Sequence, residues 1–272
     1  MAKASTKPAP APKASARLNH RQRLAWLRLI RSENVGPATF RALVNEFGGA
    51  EAAIDALPAL SRRGGHIHDI CLCSEEDTEA ELAVAESLGA SLVAIGETGY
   101  PPALAQVDAP PPLLCVKGRL DLPDIPIVAI VGARNGSAVG QKFTRALATD
   151  LGQEGFVIAS GLARSSPCRT SARHHRRAGR RHRQYLPAEN EELHRSIGER
   201  GLLISERAPG FAPRGKDFPR RNRLISGISL GVVVVEAAER SGSLITARLA
   251  GEQGREVFAV PGSPLDPRFG RN

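Results

Sequence analysis

Several features of other protein classes are scarce or missing in this 272-residue sequence. Aromatic residues make up only 4% of the chain, so we expect a core of Ala, Val, Leu and Ile. No apolar run approaches the roughly 20 residues of a membrane-spanning helix, so no membrane association is expected. The first 17 residues lack the apolar middle of a signal peptide, and their Ala, Pro and Lys content predicts a disordered tail.

Cysteine is also scarce, with four residues at Cys71, Cys73, Cys115 and Cys168. Their spacing matches neither a zinc site nor a disulfide framework. We therefore expect reduced thiols in a cytoplasmic protein and no bound metal. Paired carboxylates and a Ser–His–Asp arrangement in a credible context are missing too, which argues against an enzyme.

Positive charge is abundant but unevenly placed. The net charge of +9 suggests a polyanionic partner. However, Ser165–Tyr185 contains seven arginines and no acid, and Met1–Arg17 contains four basic residues and no acid. Together these two segments exceed the whole net charge, so the remaining chain is slightly acidic. Any anion site must therefore be a local cluster.

The first ordered part of the sequence, from Leu18 to about Leu60, is predicted to be helical. Gly36-Pro37 separates two periodic apolar segments, and Gly48-Gly49 ends the second. The apolar positions are Leu24, Trp26, Leu27, Ile30, Phe40, Leu43 and Phe47. This arrangement resembles helix-hairpin-helix and SAM-like modules. It fits either a module that holds DNA phosphates on backbone amides or a small packing module.

Strands and helices alternate in the second half of the chain. Continuous apolar runs such as "IPIVAIVG" and "GVVVVEA" are typical of strands buried on both faces of a sheet. We predict an α/β fold with a Rossmann-like, mostly parallel sheet and helices on both faces, preceded by a small helical domain. The predicted divisions are a tail 1–17, a SAM-like domain 18–70, a connector 71–119 and the Rossmann-like domain 120–272.

The turn after the first strand of that domain has features of a phosphate site. Gly132 permits a tight turn, Arg134 follows it, and a helix is predicted to begin near Ser137. The turn is not a G-x-G-x-x-G motif and no acid is placed for a ribose, so no dinucleotide cofactor is expected. A plain strand-to-helix turn is the alternative interpretation.

The most specific stretch is "GKDFPRRNRLISG". Pro219 favours the first turn of a helix, where cations are unfavourable to the helix dipole. Because these cations destabilise the start of the helix, we expect them to have a functional role. Phe218 could stack on an unpaired base while the basic residues hold the backbone, or it could lie in the core at a solvated helix end. The polar residues of the stretch are Lys216, Arg220, Arg221, Asn222 and Arg223.

Two further turns are predicted at the same sheet edge. "SGLAR" places Ser160 and Gly161 after a strand, and "RSGSLITA" places Ser241, Gly242 and Ser243 before a helix. Ser241 or Ser243 can cap that helix, and the free amides can take a phosphate. The coincidence of several such turns is more specific than any one of them.

Taken together, "VAIVGARN", "SGLAR", "FPRRNRLISG" and "RSGSLITA" resemble the DprA (Smf) family of DNA-processing proteins. The resemblance implies a Rossmann-like domain that binds single-stranded DNA, dimerises and helps load the recombinase RecA in natural transformation. Many relatives carry a further winged-helix module, which is expected to be absent or truncated here. The DNA-binding residues implied by position are Arg134, Ser160, Gly161, Lys216, Phe218, Arg220, Arg221, Asn222 and Arg223.

The arginine-rich segment departs from the family pattern, which continues after "SGLAR" with Gly-Ile-Asp, a helix, an apolar strand and a Gly-Gly turn. One back-translation of His175–Tyr185, read one base later, gives Ile-Ala-Val-Leu-Ala-Gly-Gly-Thr-Asp-Asn, although Ser165–His174 does not restore as cleanly. This pattern indicates a local reading-frame error within residues 165–186. Nucleotide sequencing across these codons tests it, since an unshifted frame refutes the hypothesis.

Two alternatives to DNA binding follow from the sequence. Rossmann-like phosphoribohydrolases also carry an arginine-containing segment near the late strands, but they need a catalytic Glu in a P-G-G-x-G-T-x-x-E pattern that is missing here. Glu236 is predicted to be the only acid near the site and to hydrogen-bond a neighbouring turn. A partner-binding scaffold is the second alternative, and it is compatible with DNA binding.

Overall fold

The computed structural model describes residues 17–63, 71–133, 136–161, 172–173, 188–207, 217–238 and 241–261. The helices are α1 His20–Arg31, α2 Pro37–Phe47, α3 Ala50–Arg63, α4 Glu75–Ser87, α5 Pro102–Ala105, α6 Ala138–Gln153, α7 Ala188–Arg200, α8 Asp217–Gly227 and α9 Gly242–Glu252. The strands are β1 Ser91–Ala94, β2 Leu113–Gly118, β3 Ile127–Gly132, β4 Val157–Ala159, β5 Ala172–Arg173, β6 Leu202–Ser205, β7 Gly231–Val235 and β8 Glu256–Ala259.

The N-terminal helices begin and end where local chemistry favours it. Asn19 and Gln22 form a capping box at the start of α1, each side chain accepting a hydrogen bond from the other's backbone N–H. Gly48, with φ of 77°, ends α2 in the left-handed conformation. Gly36 is the N-cap of α2 and Pro37 is its first residue, which confirms the predicted helix–Gly–Pro–helix arrangement.

Helix α1 packs on both sides. Leu29 lies in a core with residues of α2 and α3, whereas Leu27 lies in a second core with residues of α4, β1 and β2. Both leucines are fully buried. Two ion pairs with little exposure, Arg23–Glu97 and Arg31–Glu81, also join α1 to residues of the 71–119 stretch. That stretch therefore contributes α4, β1, α5 and β2 and packs against the helical module.

The strands form two four-stranded sheets among the described residues. One sheet has the order β4-β3-β7-β8 and is entirely parallel. The other has the order β1-β2-β6-β5, with antiparallel pairs β1/β2 and β2/β6 and a parallel pair β5/β6. The predicted α/β class with a Rossmann-like parallel sheet is confirmed, and β1 and β2 contribute antiparallel strands to a second sheet.

Helices cover both faces of the parallel sheet. Ile130 and Val233 face a core that includes Leu147 and Leu151 of α6. On the other face, Leu224 and Ile225 of α8 join a core with alternate residues of β3 and β7. Successive side chains of a strand point to opposite faces of the sheet, and both faces are buried here. This explains the nearly continuous apolar runs of β3 and β7.

Within the described ranges, no helix is long and apolar enough to cross a membrane. The same part of the chain contains no group of three or more His, Cys, Asp or Glu side chains arranged to hold a metal. Most of the arginine-rich segment, residues 165–171 and 174–185, lies outside the described residues, as do the tail before residue 17 and Cys168.

Candidate nucleic-acid interface

Three parallel strands end at one edge of the molecule. Ala129 of β3 pairs with Ala159, the last residue of β4, and Gly132 at the end of β3 pairs with Val235 at the end of β7. Ligands of open α/β sheets bind beyond the carboxyl ends of their strands. The turns that follow β3, β4 and β7 therefore define the candidate site.

Helix α8 packs on one face of the parallel sheet, and its Arg221 lies close to the turn after β4 at this edge. Leu224 and Ile225 are only 1% and 2% exposed and anchor the helix in the core. Pro219 lies in the first turn, as predicted, where its missing N–H costs no hydrogen bond. Arg220 is exposed at this end of the helix. The exposed Arg220 therefore extends from a helix whose later residues are fixed in the core.

Arg221 connects α8 to the turn after β4. Its guanidinium carbon lies 5.1 Å from the centroid of the Phe218 ring, within the range of a cation–π contact. A Cβ added to Gly161 would lie 3.2 Å from the same guanidinium carbon. Glycine at position 161 therefore lets the arginine approach the turn, where Ser160 is buried. The "SGLAR" and "FPRRNR" motifs, separated in sequence, meet at one place.

Asn222 connects α8 to the start of α9. Its Nδ2 donates a hydrogen bond to the carbonyl oxygen of Gly242 at 3.1 Å, and the side chain is buried. Ser241 is the N-cap residue of α9, and its Oγ accepts a hydrogen bond from the N–H of Ser243 at 3.1 Å. The predicted capping by a serine of this turn is confirmed, and Asn222 is an internal link between two helices.

Arg223 lies on another side of α8 from Arg221, because residues two positions apart on a helix do not share a face. Its guanidinium donates hydrogen bonds to the carbonyl oxygens of Asp108 at 3.2 Å and Ala109 at 2.9 Å. The same group lies 3.8 Å from a carboxylate oxygen of Glu206. Arg223 therefore joins α8 to the loop between α5 and β2.

Glu206 is a charged residue near the site that the sequence analysis missed. The expectation that Glu236 is the only acid there was wrong, since Glu206 approaches Arg223. Burial raises the pKa of Glu206, and the guanidinium groups of Arg223, Arg220 and Arg207 act in the opposite direction. Its position directly after β6, at a strand end like those of the other turns, is the sequence feature that could have identified Glu206.

The end of β3 is packed closely against the end of β7. A Cβ at Gly132 would lie 2.2 Å from the carbonyl oxygen of Val235, so only glycine fits there. The N–H of Ala133 donates a hydrogen bond to the carbonyl oxygen of Glu236 at 2.7 Å. Ser137 is the N-cap of α6, as predicted. The Glu236 carboxylate accepts hydrogen bonds from both the N–H and Oγ of Ser137, which confirms its predicted bond to a neighbouring turn.

Two residues predicted for the site, Arg134 and Lys216, lie outside the described residues. Of the other predicted residues, Arg221 lies beside the turn that contains Ser160 and Gly161, and Phe218 lies against the Arg221 guanidinium.

Comparison with known proteins identifies the family. Residues 91–270 match the family model described as DNA recombination-mediator protein A. The chain belongs to this family. Residues 20–84 also match the model of the DprA-like N-terminal HHH domain. The two matches cover both the helical module and the sheet that carries the strand-end turns.

Relatives of the DNA recombination-mediator protein A family include the DNA processing protein DprA of Bacillus subtilis, which is 39% identical over 197 residues. That alignment covers 70% of this chain and 66% of the relative. The protein Smf of Synechocystis is 34% identical over 256 residues, which cover 88% of this chain and 64% of that protein. The chain thus spans slightly less than two thirds of the length of these relatives.

Two solved structures of this family are similar to the chain. DNA processing protein A from Streptococcus pneumoniae aligns with a TM-score of 0.68 and 28% identity, covering 93% of this chain and 90% of the other. DNA processing protein A from Helicobacter pylori aligns with a TM-score of 0.56 and 28% identity, covering 65% and 82%. The Helicobacter pylori structure was reported for a single-stranded DNA binding mode.

Proposed function

We propose that this protein binds single-stranded DNA, protects incoming DNA and helps load RecA in natural transformation, without catalysing a reaction. The observation that carries the proposal is the contact of Arg221 with Phe218 and Gly161 at the carboxyl edge of the parallel sheet. It joins an aromatic ring, a guanidinium group and a small backbone turn. We also propose, from family membership, that the protein is a cytoplasmic homodimer.

The chemistry of this edge fits an unpaired strand better than a duplex. An aromatic ring can stack on any exposed base, and adjacent cations can hold the phosphates without reading sequence. Phe218 is only partly buried and Arg220 is exposed, so both are within reach of a ligand. A duplex offers no unstacked base to such a ring.

We assign direct contact with DNA to Phe218, Arg220 and Arg221, and also to Arg134 and Lys216, which lie outside the described ranges. Ser160 and Gly161 are buried, so they are assigned the role of the turn that Arg221 approaches. Asn222 and Arg223 are assigned a positioning role, because their side chains are engaged with Gly242 and with Asp108 and Ala109. The turn of Ser241, Gly242 and Ser243 is a further candidate for a phosphate contact.

The hydrolase alternative needs a carboxylate that is free to act on a nucleotide. Glu236 is held by two hydrogen bonds to Ser137, and Glu206 faces Arg223. Both arrangements favour a non-catalytic role. An assay of nucleoside-monophosphate hydrolysis distinguishes the two functions, and turnover that Glu236→Gln abolishes would establish the enzyme.

The test is a fluorescence anisotropy titration of a labelled single strand and of a duplex of equal length, each at two salt concentrations. We expect tighter binding of the single strand, with log K falling by about 0.7 per phosphate contact for each unit of log salt concentration. Arg221→Ala should weaken binding at least about tenfold, because it loses a phosphate contact and the cation beside Phe218.

The matched control is Arg248→Ala, which removes the same charge from an exposed site on α9, where the side chain is 72% exposed. This variant should bind the single strand as the wild type does. Equal affinity of wild type and Arg221→Ala, or a preference for duplex DNA, would overturn the proposal.

A further inference from the structure

The start of α6 is the place in this fold where a phosphate would ordinarily be expected. It follows the first strand of the parallel sheet, β3, at the carboxyl edge, and its backbone N–H groups and dipole favour an anion. No acidic residue of α6 lies in its first turn. The negative charge that this helix start attracts comes instead from Glu236, at the end of β7.

The Glu236 carboxylate is fixed across this helix start. One oxygen accepts a hydrogen bond from the N–H of Ser137 at 2.7 Å, and the other accepts one from Ser137 Oγ. Ser137 Oγ in turn accepts a hydrogen bond from the N–H of Gly140 at 3.0 Å. A single carboxylate thus engages the N-cap residue through its backbone and its side chain.

Two glycines let this carboxylate approach the helix start closely. A Cβ at Gly140 would lie 2.6 Å from the carboxyl carbon of Glu236, and a Cβ at Gly136 would lie 3.3 Å from one of its oxygens. The two glycines form a cradle that the side chain of Glu236 fills.

Glu236 also has an unusual backbone conformation. Its φ of 53° lies in the left-handed region, which residues other than Gly, Asn and Asp adopt rarely. This conformation places the carboxylate of the residue that follows β7 over a helix that begins after β3. The hydrogen bonds to Ser137 offset the backbone strain.

We propose that Glu236 determines ligand specificity by closing the α6 phosphate cradle to the phosphate groups of free nucleotides. A carboxylate already held there repels a second anion and occupies the N–H and the Oγ of Ser137. Anionic ligands are then bound by the arginines of α8, which suit a polynucleotide backbone. This last step rests on the proposed function, whereas closure of the cradle does not.

The test compares wild type with Glu236→Gly, which removes the carboxylate and tolerates a positive φ. Isothermal titration with inorganic phosphate, and separately with AMP, measures binding in the absence of DNA. We expect at least about tenfold tighter phosphate binding by the variant, since it gains a free helix start and loses a like charge. The control is Glu154→Gln, which removes the same charge at the opposite end of α6 and should gain no affinity.

The proposal is overturned if folded Glu236→Gly binds phosphate no better than wild type, or if wild type already binds phosphate equally well. If thermal unfolding shows that Glu236→Gly does not fold, Glu236→Asn replaces it, because Asn tolerates the left-handed region and has a shorter, neutral side chain. The Asn variant must show the same gain. Loss of single-stranded DNA binding by wild type would contradict the proposed function alone.

Discussion

Arg221 and Arg223 are two positions apart on α8 and face different surroundings. Arg221 lies beside Phe218 and Gly161 at the open edge. Arg223 holds two backbone carbonyl groups and faces Glu206. The sequence assigns both to DNA, because both belong to one basic motif. Arg223 therefore stabilises the loop between α5 and β2, whereas Arg221 packs beside the turn after β4.

Arg223→Ala should lower the free energy of unfolding by about 1–3 kcal/mol, because it leaves two carbonyl groups without their donor and removes the positive charge that faces the Glu206 carboxylate. The loss stays below that of a fully buried pair, because the Arg223 side chain is 26% exposed. Urea unfolding measures it. Adding Glu206→Gln to the variant should recover part of the loss.

The binding assay completes this test. In the folded variant, affinity for single-stranded DNA should fall less than in Arg221→Ala. A variant with unchanged stability that loses all binding would show that Arg223 contacts the ligand directly.

At the scale of elements, the junction of α1 with the turn after β1 depends on one buried carboxylate. Glu97 accepts hydrogen bonds from the Arg23 guanidinium and from the N–H groups of Ala94 and Leu18. Burial alone would raise the pKa of Glu97, but these hydrogen bonds and the charge of Arg23 hold the pKa below its ordinary value of 4.5. The ionised form is therefore the one that stabilises the fold.

Glu97→Gln should lower the free energy of unfolding by about 1–3 kcal/mol at neutral pH, because it removes a charged hydrogen-bond acceptor from a largely buried pair. A lowered folded-state pKa gives stabilisation that is complete above pH 4.5 and is lost as the pH falls through the folded-state value. The difference between variant and wild type should therefore shrink in acid.

Urea unfolding across a pH series checks this expectation. Glu86→Gln on the exposed side of α4 is the matched control and should track the wild type at every pH. A difference between Glu97→Gln and wild type that persists unchanged in acid would refute the titration of Glu97 as its cause.

At the scale of the whole molecule, the net charge of +9 does not by itself identify where a polyanion would bind. The seven arginines of Ser165–Tyr185 are a large part of that charge. Such a dense run of cations contributes mainly salt-sensitive, sequence-independent attraction. The proposed site instead depends on a few residues at a sheet edge.

Replacing the arginines of this segment by serine, with Arg173 retained because it lies in β5, tests that distinction. The substituted residues are Arg169, Arg176, Arg177, Arg180, Arg181 and Arg183. At moderate salt, affinity for single-stranded DNA should change less than about threefold, whereas duplex binding at low salt should weaken. Anisotropy titrations measure both. Loss of single-strand affinity in this variant, with none in Arg221→Ala, would move the site to the segment.

Much of the fold was predictable, because strand and helix periodicities are local properties of the chain. The runs that form β3 and β7, the start of a helix near Ser137 and the capping of α9 by Ser241 or Ser243 were predicted from the sequence, and Ser241 is the residue that caps α9. The pairing of β2 with β6 was not predicted, since antiparallel pairing between distant strands has no local pattern. The ion pair of Glu206 was missed for the same reason, because its partner Arg223 lies on another element.

Local sequence patterns were enough to establish the fold class and the basic motif of α8, because apolar periodicity, glycine turns and charge can be read from consecutive residues. Which polar groups face outward depends on long-range packing. It turned Arg223 toward Glu206, joined Arg221 to Gly161, and laid Glu236 over the start of α6. These contacts connect residues from about 17 to 99 positions apart. Such contacts depend on how strands and helices pack, and no short stretch of sequence specifies that packing.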